Sequence, residues 1–459
     1  MSKMIMSKNI KYPTLYVKNF AKIKEAKIEL SPFTLFIGDN NSGKTYLASL
    51  YYGLIRYNND IINIIFKDKK IVEEYEEYKK IENIIKKYIS DLSLNSFINL
   101  EADILQYFID FFNFLLNKNL THILNLIFNS NNQIYLEEIN LELDIDKYNF
   151  KVEKSTSIGI SGYNVFLFLN YNNKGFGENI SDIFGIIKVF IYTIVHFSFY
   201  AINPIFLPSS RTGFLLSKND IFTSAIFSKY DRYFEEKSKQ YLSKPLIDFL
   251  ISLNELSKNN IKIHNEKIHL IDFIEKNMLF GKIIINEETK NIYYKPENTE
   301  LELQMYLSSA VVTELTPLYL FLKYGFIINK LFIEEPEISL HPQLQQQLTR
   351  LFIKLINTGV NVIITTHSDT IIQHINNMIK LNNNKEDVKK ELMKKYNYDE
   401  DDLISEDKVR MYQFDIKEDG FTEIIEIKGS KYGFQAPTFH KYLMRSSKEF
   451  EAFIEDLDN

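Results

Sequence analysis

Eight residues, Gly38-Asp39-Asn40-Asn41-Ser42-Gly43-Lys44-Thr45, stand between a short apolar strand pattern, Phe33 to Ile37, and an apolar helical pattern, Tyr46 to Ile55. The form G-x-x-x-x-G-K-T in a strand-loop-helix context constrains the fold more than any other feature, because a strand must end and a helix must begin around one bound anion. The glycines permit a tight loop whose backbone N–H groups converge on phosphate oxygens, and the helix N-terminus adds partial positive charge. Lys44 is placed to reach the β- and γ-phosphates, and the Thr45 hydroxyl to ligate Mg²⁺. The loop from Gly38 to Thr45 is thus a candidate site for ATP with Mg²⁺.

A second segment, far along the chain, supplies what such a loop needs. Lys330-Leu-Phe-Ile-Glu334-Glu335-Pro336-Glu337-Ile-Ser339-Leu340-His341-Pro342 reads as an apolar strand ending in a run of carboxylates. In an open parallel sheet, ligands sit beyond the carboxyl ends of the strands, so this strand should deliver its acids beside the phosphates. Glu334 is expected in the Mg²⁺ shell, directly or through water, and Glu335 is expected to orient and polarise the attacking water. A third strand pattern, Val360 to Ser368, follows after one helical stretch, Leu344 to Thr358, closed by Gly359. A lone histidine is more often structural, but a βαβ unit sets neighbouring strand ends together and so puts His367 near the γ-phosphate as a sensor.

Together these three segments resemble the ABC-type ATPase heads of the RecF, SMC and OLD (overcoming lysogenization defect) group. They are most similar to the stand-alone ATPases of bacterial phage-defence operons, such as PARIS- or Septu-like systems. Leu15 to Leu30 is similar to that group's opening hairpin, Glu334 to Glu337 with Leu340-His341-Pro342 to its acidic strand and D-loop, and Tyr432 to Phe439 to a tail found in such proteins. The resemblance covers residues 12–56, 205–214 and 301–375 with the tail, and leaves the middle of the chain uncovered. It implies an α/β fold, an ABC-type P-loop ATPase head with a large, mostly helical insertion. It also implies a homodimer or higher homo-oligomer formed through ATP-bound heads.

Two positions depart from that pattern. The group's signature presents serine and glycine backbone at a helix start, to grip the γ-phosphate held by the opposite subunit. The matching stretch here is Leu307-Ser308-Ser309-Ala310, leading into an apolar helix to Leu322. Ala310 stands where glycine is expected and narrows the backbone approach, while the hydroxyls of Ser308 and Ser309 and the helix dipole remain available. The alternative is an ordinary capped core helix. Ile205 to Gly213 is similar to the strand leading toward the Q-loop, which puts Arg211 where a phosphate or interface contact would form; a plain surface arginine is the alternative.

The distance from Lys44 to Glu334 along the chain requires a large insertion looped out of one ATPase core, and 459 residues exceed a single ordinary core. Residues 1–58 are expected to form the first head lobe, 59–130 a helical insertion, and 131–215 strands with a buried helix that rejoin the head. Residues 216–300 should then form a helical arm with a hairpin, and 301–459 the rest of the head with its tail. Ile183 to Leu207 is long enough to span a membrane, but Lys188, His196, Asn203 and Pro204 interrupt it, which favours a buried helix. With no apolar leader at the N-terminus and no cysteine, a reducing cytoplasm is the expected location. A net charge of −6 disfavours nonspecific nucleic-acid binding by one chain, although a local basic groove in a dimer stays open.

Two classes of function remain. In the first, the chain is an ATP-hydrolysing sensor or scaffold that holds or releases a separately encoded nuclease or toxin, with the uncovered middle and the aromatics of Tyr432 to Phe439 as docking surfaces. In the second, it is a DNA-repair or chromosome-maintenance ATPase that clamps nucleic acid directly. A clamp calls for long coiled coils, and sustained heptads are absent. A fused Toprim nuclease would need convergent carboxylates after His367. The acidic cluster Asp399-Glu400-Asp401-Asp402 lies in a polar linker rather than at a strand end and reads as solvated surface. His264 and His269 lack metal-ligand spacing.

Overall fold

The computed structural model describes residues 12–91, 97–99, 101–143, 149–153, 160–161, 164–168, 183–199, 204–230, 242–256, 267–286, 288, 291–324, 328–435 and 447–453. The chain forms two compact units: one comprises Met1–Leu30 and Ser49–Ala201, the other Ser31–Ala48 and Ile202–Asn459.

In chain order the elements begin with β1 (Thr14–Phe20), β2 (Ile23–Glu29), β3 (Phe33–Gly38), α1 (Lys44–Arg56), α2 (Asn58–Ile65), α3 (Lys69–Glu73) and α4 (Tyr78–Asp91). Next come β4 (Phe97–Asn99), α5 (Ala102–Lys118), α6 (Leu120–Phe128), β5 (Glu138–Glu142), β6 (Asn149–Glu153), β7 (Ile160–Ser161), β8 (Asn164–Phe168) and α7 (Ile183–Phe199). After these run β9 (Ile205–Leu207), α8 (Arg211–Tyr230), α9 (Lys244–Leu256), α10 (Ile268–Ile274) with a π-helical turn at Glu275–Leu279, β10 (Gly281–Ile285), β11 (Ile292–Pro296) and β12 (Leu303–Gln304). The chain closes with α11 (Ala310–Tyr324), β13 (Lys330–Glu334), α12 (Pro342–Asn357), β14 (Asn361–Thr366), α13 (Asp369–Asn382), α14 (Glu386–Tyr396), β15 (Val409–Ile416) and β16 (Thr422–Ile427).

In the first unit, β1 and β2 pair antiparallel from Thr14↔Glu29 to Phe20↔Ile23, and β5 joins β1 antiparallel. Alternation buries Leu15 and Val17 of β1 and Ala26 and Ile28 of β2 while Lys24 and Lys27 face outward. The outer edge of β5 is covered by two asparagines of α5. Asn117 accepts from Ile139 N at 2.9 Å and donates to Ile139 O at 2.7 Å; Asn113 does the same for Leu141 at 2.9 and 3.0 Å. Four residues of helix rise about 6 Å and two residues of strand about 7 Å, so side chains at i and i+4 match alternate backbone groups of a strand. The other face of α5 buries Leu105, Phe108, Phe112 and Leu115, with the rings of Phe108 and Phe190 of α7 tilted against each other at 5.6 Å between centroids. The segment suspected of crossing a membrane is thus helix α7, which buries Ile187, Phe190, Ile191 and Ile194 and exposes Val189, followed by strand β9, and no described helix is long and apolar enough to cross a membrane.

The second unit holds a mostly parallel sheet in the order β16-β15-β3-β14-β13-β9, with only β16 antiparallel to its neighbour. Every residue of β3 is buried because both its edges and both its faces are covered, which explains its unbroken apolar run. Register decides the rest: Glu334 pairs with Thr365, Thr366 with Ile37, and Phe414 with Gly38, so the carboxyl ends of β13, β14 and β3 stop near one level while β15 runs on to Ile416. The core beneath is built from Leu35, Ile37, Leu331, Ile333, Phe352, Val362 and Ile364 with Leu318, Tyr319 and Leu322 of α11. Among the described residues the second unit also carries the small antiparallel sheet β10-β11-β12, whose β10–β11 pair is the hairpin expected after the helical arm; residues 231–241 of that arm lie outside the described residues.

Candidate active site

Gly38 ends β3 with φ +118°, and a Cβ there would lie 2.3 Å from the Phe414 carbonyl oxygen of β15. Only glycine fits that approach. Asp39 then anchors the loop to β15, its N–H donating to Phe414 O at 3.1 Å and its carboxylate accepting from Ile416 N at 3.2 Å. Asn41 and Gly43 adopt positive φ of 59° and 95°, and Ser42 Oγ donates to Asp39 O at 2.7 Å, which closes the loop before α1 begins at Lys44. The buried Lys44 ammonium donates to Gly38 O at 3.1 Å, to Asp39 O, and to Ser42 Oγ at 3.3 Å. Burial pushes its pKa down to about 8, opposed by the carboxylates of Glu335, Asp39 and Glu337. The ammonium therefore remains mostly charged at pH 7, and a phosphate must compete for it with the loop's own carbonyls.

Glu334 closes β13 nearly fully buried. Its Oε2 accepts from Ser209 N at 3.3 Å and its carboxylate accepts from the Thr45 hydroxyl, while among the described residues Oε1 has no hydrogen-bond partner. Burial pushes this carboxyl up to about pKa 7, against the bonds from Ser209 and Thr45. An orphaned, desolvated carboxylate oxygen beside a threonine hydroxyl is the oxygen donor set a hard cation such as Mg²⁺ takes, so the residues fit that ion.

Glu335 leaves the strand in a left-handed conformation, φ 43°, with its N–H donating to Thr365 O at 2.8 Å and its carboxylate partly open to solvent. His367, just beyond β14, bonds the Gly38 carbonyl through its imidazole, and its backbone N–H donates to Glu337 Oε1 at 2.6 Å. Burial, then the Lys44 charge, holds the imidazole below the usual histidine range, so it is neutral at pH 7. The structure thus brings Lys44, Thr45, Glu334, Glu335 and His367 together at the end of one sheet.

Arg211 is a correction. It is neither a surface arginine nor free to reach phosphate, because its guanidinium is buried and already engaged. Nε faces Glu314 Oε2 at 2.9 Å, and Nη1 donates to the Glu334 carbonyl at 2.7 Å. Ser308 and Ser309 stand at the start of α11, where Ser309 Oγ accepts from Val312 N at 3.4 Å as a helix cap and Ser309 itself is exposed. Sequence reasoning missed three contributors: Glu337, which holds the His367 backbone, Glu314, and the strand β15 that shapes Gly38. Only Glu337 carried a signal, its place in the acidic run.

The acidic cluster is exposed as expected at Asp399, Glu400 and Asp401, but not at Asp402. Asp402 is 0% exposed, not solvated, and accepts from Arg350 Nε at 2.9 Å and Nη2 at 2.7 Å, with Lys354 Nζ at 3.2 Å; Asp399 takes Lys354 at 2.5 Å. These carboxylates tie the Glu400–Asp402 turn to α12. In the tail, Tyr432 is exposed but Phe434 is buried, packed on Gly429, with its N–H and C=O both held by the Asn376 amide at 2.7 and 2.8 Å. Phe434 is therefore unavailable as a docking anchor; positions 436–439 of that motif, like His264, lie outside the described residues.

The family described as an AAA ATPase domain (AAA_15) matches residues 12–372. Endonuclease GajA of Bacillus cereus (strain HuB5-5) is 24% identical over 417 residues, an alignment that covers 79% of this chain and 56% of that protein. The chain thus spans little more than half the length of that relative. Among solved structures, an SmcHead bound to the C-winged helix domain of ScpA aligns at 11% identity and a TM-score of 0.35, over 91% of this chain and 98% of that one. The SMC head domain from Thermotoga maritima aligns at 10% identity and a TM-score of 0.33, over 90% and 98%.

Proposed function

The chain belongs to the AAA ATPase domain family, and on that premise we propose that it is a Mg²⁺-dependent ATP hydrolase whose nucleotide-driven head dimerisation controls a separately encoded effector, a nuclease or a toxin, in cytoplasmic antiviral defence. The observation that supports hydrolysis is the buried Glu334 carboxylate with an unpartnered Oε1 close to the Thr45 hydroxyl, because it sets the acidic strand against the phosphate loop at the level where Glu335 and His367 follow. Loop N–H groups and Lys44 bind the phosphates. Glu334 and Thr45 would hold Mg²⁺, which when bound neutralises phosphate charge and orients the oxygens around the transferred group. Glu335 accepts hydrogen bonds from the attacking water and takes its proton, while neutral His367 keeps one ring nitrogen on Gly38 O and the other toward the reacting space. Ser308 and Ser309, at the open start of α11, meet the nucleotide of a second copy.

A separate effector is favoured by the use of Asp399 and Asp402 in ion pairs with Arg350 and Lys354, which engages the carboxylates a nuclease centre would draw on. The name of the relative, an endonuclease, favours a second reading in which this chain itself cuts nucleic acid. Purified protein assayed for Mg²⁺-ATP turnover, and for cleavage of DNA and RNA, separates the two. Turnover without cleavage is expected; metal-dependent cleavage that survives in Lys44→Ala and Glu335→Gln would overturn the separate-effector reading.

A further inference from the structure

Arg211 begins α8 directly after β9, the strand beside β13. Its Nη1 donates to the Glu334 carbonyl at 2.7 Å and to Pro208 O at 3.2 Å, its Nη2 donates to the Glu335 carbonyl at 3.3 Å, and its Nε faces Glu314 Oε2 at 2.9 Å. The two carbonyls belong to the peptide units on either side of the Glu335 Cα. One planar guanidinium therefore holds both peptides flanking that residue, and with them the direction in which its side chain leaves the backbone. The position needs holding, since φ 43° is a conformation that a glutamate adopts only at a cost.

Glu314 carries the contact onward. It lies on α11, the helix introduced by Ser308 and Ser309; its Oε1 accepts from Thr212 N at 3.3 Å, and the hydroxyls of Thr212 and Thr313 are 2.9 Å apart. Both charged side chains are nearly inaccessible, at 4% and 5% exposure, so neither can trade its partner for water.

We propose that Arg211 is a positioning residue for Glu335, and that its buried pair with Glu314 makes this positioning depend on the placement of α11. Any shift of the helix that starts at Ser308 and Ser309 pulls on Glu314, hence on the guanidinium, hence on the two peptides that aim Glu335. The inference rests on the assignment of Glu335 as the base of ATP hydrolysis.

The test measures kcat, ATP affinity by fluorescent-nucleotide titration, and thermal unfolding for wild type, Arg211→Lys, Glu314→Gln and the double variant. Lysine keeps the charge but lacks the fork, so Arg211→Lys should lower kcat about tenfold to a hundredfold while ATP affinity stays within about twofold. Glu314→Gln should lower kcat less, and the double variant should be no slower than Arg211→Lys alone. Full kcat in Arg211→Lys, or kcat losses that track loss of folded protein in both single variants, would overturn the inference. Should Arg211→Lys fail to fold, an unchanged kcat in Glu314→Gln overturns it equally. Absence of turnover in wild type would instead remove the hydrolysis assignment, and this inference with it.

Discussion

Nε2 of His367 stands 3.8 Å from Oε1 of Glu335. That is too long for a hydrogen bond, and burial with the neighbouring Lys44 charge keeps the imidazole neutral, so the two are not an ion pair. The imidazole lies close to the Gly38 carbonyl, and both side chains are partly exposed.

This arrangement separates binding from chemistry. Glu335→Gln keeps the shape and removes the base, so ATP affinity should be retained while kcat falls about a hundredfold or more. If heads engage through ATP, this variant should also accumulate an ATP-dependent dimer in analytical ultracentrifugation. Turnover within a few-fold of wild type would reject Glu335 as the base.

Lys44→Ala removes the point charge that the loop holds ready for the phosphates. ATP affinity should fall by about a hundredfold or more, with the thermal midpoint in the absence of nucleotide little changed. Isothermal titration of ATP into the folded variant checks this, and wild-type affinity would remove the loop from the site.

Glu334 gives a pH dependence of stability. Its folded pKa of about 7 lies above the ordinary 4.5, so the folded state binds this proton more tightly than the unfolded chain. The associated stability is complete below about pH 4.5 and is lost as pH rises through about 7. Without divalent cation, Glu334→Gln should therefore be more stable than wild type at pH 8, by about 3 kcal/mol, with the gap closing toward pH 4.5. Added Mg²⁺ should raise the wild-type midpoint and leave the variant's unchanged. Thermal melts at both pH values, with and without Mg²⁺, decide it; a gap independent of pH would contradict the burial of an ionisable group here.

Asp402 should behave as a structural residue. Burial alone would raise its pKa, but the bonds from Arg350 and the Asp399 backbone outweigh burial and hold it below the usual carboxylate range. Asp402→Ala strands Arg350 and Lys354 without their shared partner and should cost about 3 kcal/mol or more. ATP turnover per folded molecule should be unchanged. A folded Asp402→Ala protein that has lost a nuclease activity present in wild type would reassign the cluster to a metal centre.

The placement of the candidate site was legible along the chain wherever the contributing residues are contiguous. The phosphate loop, the acids that end an apolar strand, and the histidine that ends another all sit at junctions of regular elements, and such junctions show in local spacing and hydropathy. The helical stretch before β5 was legible for the same reason, whereas the hairpin at Leu15 to Leu30 was legible through its resemblance to the group's opening hairpin. Tertiary structure alone decided which charged residues line the candidate site and which are buried in ion pairs. Arg211 and Asp402 look like surface residues in a polar context, yet each is buried against partners more than fifty positions away, Glu314 and Glu334 for the first and Arg350 for the second. It also decided that β15 lies beside β3, which makes Gly38 obligatory through a carbonyl at position 414, and that Glu335 turns left-handed. Pairing between distant segments depends on which strands find one another in the folded sheet, and no periodicity within a segment encodes that choice.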